Sequence, residues 1–296
     1  MRAALLAAAL VPVLALAQEL EPRAYSNAPV GTTFAIAGYT RLSGDVLPSP
    51  ALAAIDVDAR VNVYTLGYAR FHDLFGRTAS FTLVAPYIES DLHGAVGEKS
   101  GSIHRSGIGD LNLRGAINLF GHPALSPQEF AKRRDALAAG ASLNIQAPTG
   151  QYDSSRLINV GTNRWAFKPD VGLSYPIGNW FTEVAAGIWF FTDNDEFFGG
   201  HRRSQESLNV YQLHVGYQFR PGLWLAADYG RYIGGRTSID GAANDDEQHN
   251  SRIGLALSLP VGHGWSTKLA ASKGTVVRVG GDYRIFSVAV QYRWFD

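Results

Sequence analysis

The 296-residue chain has no cysteine, and its one methionine is Met1. Disulfide staples, thiolate metal centres and cysteine nucleophiles are therefore excluded, and stability has to come from the fold itself. Charge of either sign is not in excess, with 26 Lys and Arg against 26 Asp and Glu, so no basic face is available for nucleic acid. After Gln18 no apolar run approaches the ~20 residues of a membrane-crossing helix. If such a chain crosses a membrane, it does so as strands.

The one long apolar run is at the start. Met1-Arg2 supplies a short positive end, Ala3 to Leu14 is apolar apart from Pro12, and Ala15-Leu16-Ala17 has the small-x-small pattern of a signal-peptidase site. Residues 1–17 are expected to be a signal peptide, 18–30 an N-terminal periplasmic segment and 31–296 the folded domain.

What is abundant is glycine, with 32 residues, and aromatics, with 13 Tyr, 15 Phe and 6 Trp. They sit in segments that alternate apolar and polar with period two, the signature of strands with two different faces. Tyr211, Leu213, Val215, Tyr217 and Phe219 alternate with Gln212, His214, Gly216 and Gln218; Ile253, Leu255, Leu257 and Leu259 alternate with Arg252, Gly254, Ala256 and Ser258. About twelve such segments are countable, and ten or fourteen also fit. Short turns at His72–Gly76, Pro176–Asn179, Arg220–Gly222 and Pro260–Gly264 alternate with polar stretches at Ser43–Asp56, Asp91–Ser106, Asp195–Ser204 and Gly234–Gln248, which read as loops. Gly150–Gly161 reads as a further outer loop. Within His122–Lys132, Ser126-Pro127-Gln128-Glu129 has the pattern of an N-cap, proline at N1 and an acid in the first turn, so a short periplasmic helix is expected.

A soluble sandwich also alternates, but these segments exceed the usual 5–6 residues of a globular strand and suit a tilted membrane-crossing one. Aromatics collect near segment ends, including Tyr64, Tyr87, Trp165, Trp180, Phe181, Trp189, Trp224, Tyr232, Trp265, Tyr283 and Trp294, where a headgroup belt would hold them. The chain closes on an amphipathic strand, Phe286 to Trp294, similar to the assembly signal of outer-membrane barrels. The fold class expected is all-β: a single antiparallel transmembrane β-barrel of about 12 strands in a bacterial outer membrane. Its partners would be outer-membrane lipid and lipopolysaccharide, the barrel assembly machinery and small-molecule solutes.

Four stretches carry a family resemblance: Ser106-Gly107-Ile108-Gly109-Asp110-Leu111, Ala147-Pro148-Thr149-Gly150, Gly161-Thr162-Asn163-Arg164-Trp165, and Lys168-Pro169-Asp170-Val171-Gly172-Leu173-Ser174-Tyr175. In order and spacing they resemble the outer-membrane family known as MetA-pathway of phenol degradation, with Asn163 standing where that family has a second glycine. The resemblance implies a barrel of about twelve strands that passes hydrophobic, including aromatic, compounds. On the residues alone, the Ala147–Gly150 stretch ends a strand, and Pro169 marks a bulge or a locally broken ladder.

No nucleophile motif such as GxSxG is present. His214 beside Ser258 has no supporting pattern, and the spacing of His93, His104, Asp91 and Glu98 matches no metal site. The acidic run Asp240, Asn244, Asp245, Asp246 and Glu247 reads as a solvated turn sooner than a cation site. The chain is expected not to be an enzyme and to need no cofactor or metal. The residues expected to line a lumen are Asp110, Asn112, Arg114, Lys168, Asp170, Glu183, Gln212, His214, Asp228, Arg252, Gln291 and Arg293. They could border a selective path for small molecules, through the barrel or sideways out of it. Equally, they could pair and plug the lumen of a structural or adhesive barrel.

Overall fold

Strands dominate the computed structural model, which describes residues 20–25, 28–47, 57–96, 99–121, 123–133 and 136–295. The signal-peptide expectation for 1–17 lies outside these residues. In chain order the elements are β1 (Thr32–Leu47), β2 (Val57–Leu74), β3 (Arg77–Val96), β4 (Lys99–Ile108), β5 (Leu111–Phe120), helix α1 (Pro127–Lys132), β6 (Ala138–Ala147), β7 (Ala166–Ile177) and β8 (Trp180–Phe191). They continue as β9 (Asn194–Phe197), β10 (His201–Gln205), β11 (Leu208–Arg220), β12 (Leu223–Gly234), β13 (Thr237–Ile239), β14 (Ala242–Ala243), β15 (Gln248–Gly262), β16 (Trp265–Val276) and β17 (Gly280–Phe295).

The main sheet closes on itself. Neighbours run β2-β1-β17-β16-β15-β12-β11-β8-β7-β6-β5-β3, all antiparallel, and β2 pairs back onto β3. Strands β4 and β5 share one wall position, because β3 pairs with β4 from Tyr87 upward and with β5 from Val84 downward. The wall therefore has twelve strands. Closure is what a bilayer demands, since an open edge would leave backbone N–H and C=O groups unsatisfied in hydrocarbon. The last strand makes the seam: β17 pairs with β1 from Thr32↔Phe295 to Leu47↔Gly280.

The outer face is apolar through the middle of the wall, where Leu66, Val171, Leu255 and Phe286 are exposed. Exposed aromatics flank this band. Trp180, Phe219, Trp265 and Tyr292 lie toward the short-turn end, and Tyr64, Tyr87, Trp165 and Tyr211 toward the other, as membrane interfaces favour. Five of the aromatics expected there face the interior instead: Phe181, Trp189, Trp224, Tyr232 and Tyr283 are buried. Strand parity decides this, since a one-residue offset puts a side chain on the opposite face.

Beyond the cross-strand row Tyr39–Tyr64–Tyr87 the polarity of the wall inverts. On β2, Tyr64 in the row and Leu66 below it face outward, whereas Asp58 and Arg60 do so above it; inward, Val57, Ala59, Val61 and Val63 become a buried apolar series. Along β1, β2 and β3 the upper wall thus has the pattern of a surface in water outside and apolar inside. This corrects the reading of Ser43–Asp56 and Asp91–Ser106 as loops. Their described parts are continuations of β1, β3 and β4, polar on the outside because the outside there is aqueous. Asp195–Ser204 and Gly234–Gln248 also hold strands, β9, β10, β13 and β14, which form a separate four-stranded sheet over the same end.

The expected helix is present as α1. Ser126 caps it, accepting from the Glu129 backbone N–H, while the Glu129 carboxylate accepts from the Ser126 N–H, and proline opens the first turn. It lies at the end of the short turns and the β17 terminus. Pro169 breaks the ladder without a bulge: β7 and β8 pair at Phe167↔Phe190 and again at Asp170↔Gly187 in unshifted register.

Candidate functional site

The interior is closed twice. From the short-turn end the chain preceding β1 enters the barrel, so residues 20–25 of the segment assigned to the periplasm lie within the wall. Tyr25 is buried against β6 and β7, where a Cβ at Gly172 would sit 2.1 Å from its ring and one at Gly140 would sit 2.5 Å from it. These two glycines are directly paired across the strands, and their missing side chains make the seat. The Tyr25 hydroxyl donates to Asp170. That carboxylate also accepts from Ser142 Oγ and Asn144 Nδ2, each at 2.8 Å, and Lys168 Nζ stands 3.9 Å away. Arg23 donates its backbone N–H to Glu183 and, at 2.9 Å, its guanidinium to Gln218, and it stacks 4.8 Å over Phe181. Arg114 donates to the Ala24 carbonyl at 3.2 Å and covers the Tyr25 ring.

Glu21 completes the plug, within electrostatic reach of Lys168, Arg114 and Lys268. The gap left around Glu21 and Tyr25 is bordered by Arg114, Lys168, Glu183, Gln212 and His214 and admits little beyond water-sized molecules. Further round the wall His214 and Asp228 form a buried pair at 2.7 Å. Ser258 is not part of it, since its hydroxyl donates to the Gly222 carbonyl at 2.9 Å. Arg252 is buried and donates to the Tyr283 carbonyl at 2.9 Å.

The second closure comes from the other end. The β6–β7 loop, expected as an outer loop, folds inward, and Asp110 holds it. Its carboxylate accepts from Gln146 Nε2 at 2.9 Å, Gly150 N–H at 2.9 Å, Thr162 N–H at 3.0 Å and Thr162 Oγ1 at 2.6 Å. Ile158 and Val160 of the loop pack into an apolar cluster with Leu42 and Val46 of β1, Val61 of β2, Ile88 and Leu92 of β3 and Tyr283 of β17. The loop fills a discontinuity in the wall. Above Leu111, β4 pairs with β3 alone among the described residues, and the loop supplies what contact there is, through Gln151 N–H to the Ile108 carbonyl at 2.9 Å and Arg105 Nε to the Ile158 carbonyl at 2.9 Å.

Of the twelve residues expected in the lumen, Arg114, Lys168, Asp170, Glu183, Gln212 and His214 meet around the plug. Asp228 and Arg252 are buried farther round, Asp110 latches the loop, and Asn112 donates to the Asp110 carbonyl at 3.1 Å. Gln291 is half-buried on β17, and Arg293 is exposed near the short-turn end over the Phe295 ring. Missing from that set were Glu21, Arg23 and Tyr25, because a pre-strand segment has no periodicity to reveal it. Missing too was the apolar interior of β1, β2 and β3. The Gly140–Gly172 pair was a signal, but only the strand register makes it one. In the acidic run, Asp245 pairs with Arg278, Glu247 with Arg236, Asp240 with His201, and Asp246 accepts from Thr237, so these carboxylates are engaged within the protein.

The four resembling stretches build these closures. Ser106–Leu111, Ala147–Gly150 and Gly161–Trp165 converge on Asp110, and Lys168–Tyr175 carries Asp170 and Gly172 of the plug seat. Among solved structures, the chain is similar to an outer membrane channel from Pseudomonas putida F1, with 22% identity and a TM-score of 0.79 over 93% of this chain and 100% of that one. It is also similar to the transport unit of the Escherichia coli autotransporter AIDA-I, with 8% identity and a TM-score of 0.55 over 96% and 95%. For the β domain of the Bordetella autotransporter BrkA the values are 14% and 0.53 over 90% and 100%. These likenesses concern the fold, that of an outer-membrane barrel. Among curated proteins no sequence matches this chain. The family model described as MetA-pathway of phenol degradation matches residues 38–294, and the chain belongs to that family.

Proposed function

We propose that this protein is an outer-membrane channel for small hydrophobic molecules, aromatic ones among them, which opens by displacement of its inward-folded segments. The observation that carries the reading is the apolar interior above the Tyr39–Tyr64–Tyr87 row, lined by Leu42, Val61, Ile88 and Leu92. A water-filled pore for hydrophilic solutes has a polar lining; an apolar chamber favours apolar cargo. The wall discontinuity above Leu111 lies on the aqueous side of the same row and supports an entrance from outside into this interior once the inward loop moves. Membership of the family and the channel fold are consistent with this reading.

The test is uptake of neutral aromatic solutes by liposomes containing the folded barrel, with single-channel conductance recorded alongside. Flux of the aromatics together with low ionic conductance is expected. A folded sample with neither flux nor conductance would favour the second reading, a structural barrel without transport. The observation behind that alternative is the mutual pairing of interior charges, such as His214 with Asp228.

A further inference from the structure

Under the four-stranded sheet at the aqueous end two arginines are buried without an acidic partner. Arg164 immediately precedes β7 and is 4% exposed; Arg203 lies on β10 and is 9% exposed. The Arg164 guanidinium lies 4.5 Å over Phe191 and donates to Gln205 Oε1, while its Nη1 has no partner. Arg203 rests 5.8 Å over Phe197 and its buried Nε has no partner. Among the described residues neither forms an ion pair. The nearby carboxylates Asp110, Asp193 and Asp246 act on the two arginines only from a distance, since their direct contacts are to the loop, to Arg202 and to Thr237.

Two buried cations beside each other are costly unless an anion compensates them. Burial, with the charge of Arg203 added to it, pushes the Arg164 guanidinium down to about 9, and burial lowers Arg203 as well. The surroundings are aromatic. Phe191 stacks on Trp189 at 6.3 Å, and Lys168 Nζ lies 5.5 Å over Trp189. Trp189 Nε1 is itself a buried donor without a partner. Cations and rings thus form one run along the inner wall from Arg203 through Arg164, Phe191 and Trp189 to Lys168, which borders the plug.

We infer that Arg164 and Arg203 form an anion seat that takes the carboxylate of an aromatic acid, with Phe191, Phe197 and Trp189 receiving its ring. The seat rests on the channel reading for its purpose and narrows the cargo to include aromatic carboxylates. Its binding chemistry does not depend on flux. A carboxylate would supply acceptors for the vacant Nη1 and Nε donors, and the ring would find the flat apolar faces that a bare inorganic anion leaves unused.

The experiment measures binding of benzoate to the folded full barrel in detergent at low ionic strength, by tryptophan fluorescence and by the shift in thermal unfolding. Benzyl alcohol and inorganic phosphate serve as the neutral and the non-aromatic probes. Benzoate is expected to bind saturably and to raise the unfolding temperature, with the other two weaker. Arg164→Gln and Arg203→Gln should each weaken benzoate roughly tenfold or more, the loss of one charge-assisted contact. Heat-modifiable gel mobility verifies that each variant is folded, and the wild-type comparison of probes stands even if a variant fails that check. Benzoate binding no better than benzyl alcohol, or unchanged in both variants, overturns the seat. Phosphate binding as tightly as benzoate overturns the aromatic class. Flux of neutral aromatics without benzoate binding removes the seat and leaves the channel; benzoate binding without any flux does the reverse.

Discussion

A few side chains with more than one partner hold the interior closed. Asp110 accepts four hydrogen bonds that tie β5, β6 and the inward loop together. Asp110→Asn replaces one acceptor oxygen by a donor and removes the charge, a loss of about 2–4 kcal/mol to the latch. Limited proteolysis should then cut within residues 151–160 at a rate well above wild type, with the barrel itself intact; an unchanged rate would show that the loop is held by its apolar contacts. Gly172 acts by what it lacks. In Gly172→Ala the new Cβ meets the Tyr25 ring at 2.1 Å, a distance no packing tolerates, so the plug must shift. Single-channel conductance should rise, and no rise would mean that residues 20–25 do not limit the path.

At the scale of the element, a single strand crosses two solvents. Strand β2 points Asn62, Tyr64 and Leu66 outward in sequence, and only the last lies against the apolar band. Leu66→Arg should destabilise the barrel by about 2–4 kcal/mol, whereas Asn62→Arg should cost about 0–1 kcal/mol. Urea unfolding in lipid bilayers checks the difference, and equal costs would move the membrane boundary away from Tyr64. The same inversion explains why the upper wall was read as loop. Polar residues such as Asp45, Asp91 and His93 were taken as the chemistry of a connection, yet the period-two pattern persisted with the opposite sign. The helix was legible because its signals are local: cap, proline and reciprocal acid all lie within four residues, Ser126 to Glu129.

For the whole molecule, closure is the property that matters. Every wall strand has two neighbours across the membrane band, so the barrel unfolds only by breaking several ladders together. The folded chain should migrate differently on a gel before and after boiling, and identical migration in a detergent extract would count against a closed barrel. Closure also confines whatever passes to an interior occupied by the segment 20–25 at one end and the β6–β7 loop at the other.

Period-two alternation, the short turns and the amphipathic last strand were enough to determine an antiparallel barrel of about twelve strands. Those features are local in sequence, and the bilayer admits few ways to satisfy them. The twelve polar residues expected inside were read from the same alternation, but their contacts were not. Whether Asp110 latches a loop, or Asp170 receives Tyr25, depends on the register between strands and on where an aperiodic segment comes to rest. Only the tertiary structure decided those points, because they arise from atoms distant in the chain: Tyr25 against Gly140 and Gly172, Arg23 against Glu183, and Ile158 against Leu42 and Leu92.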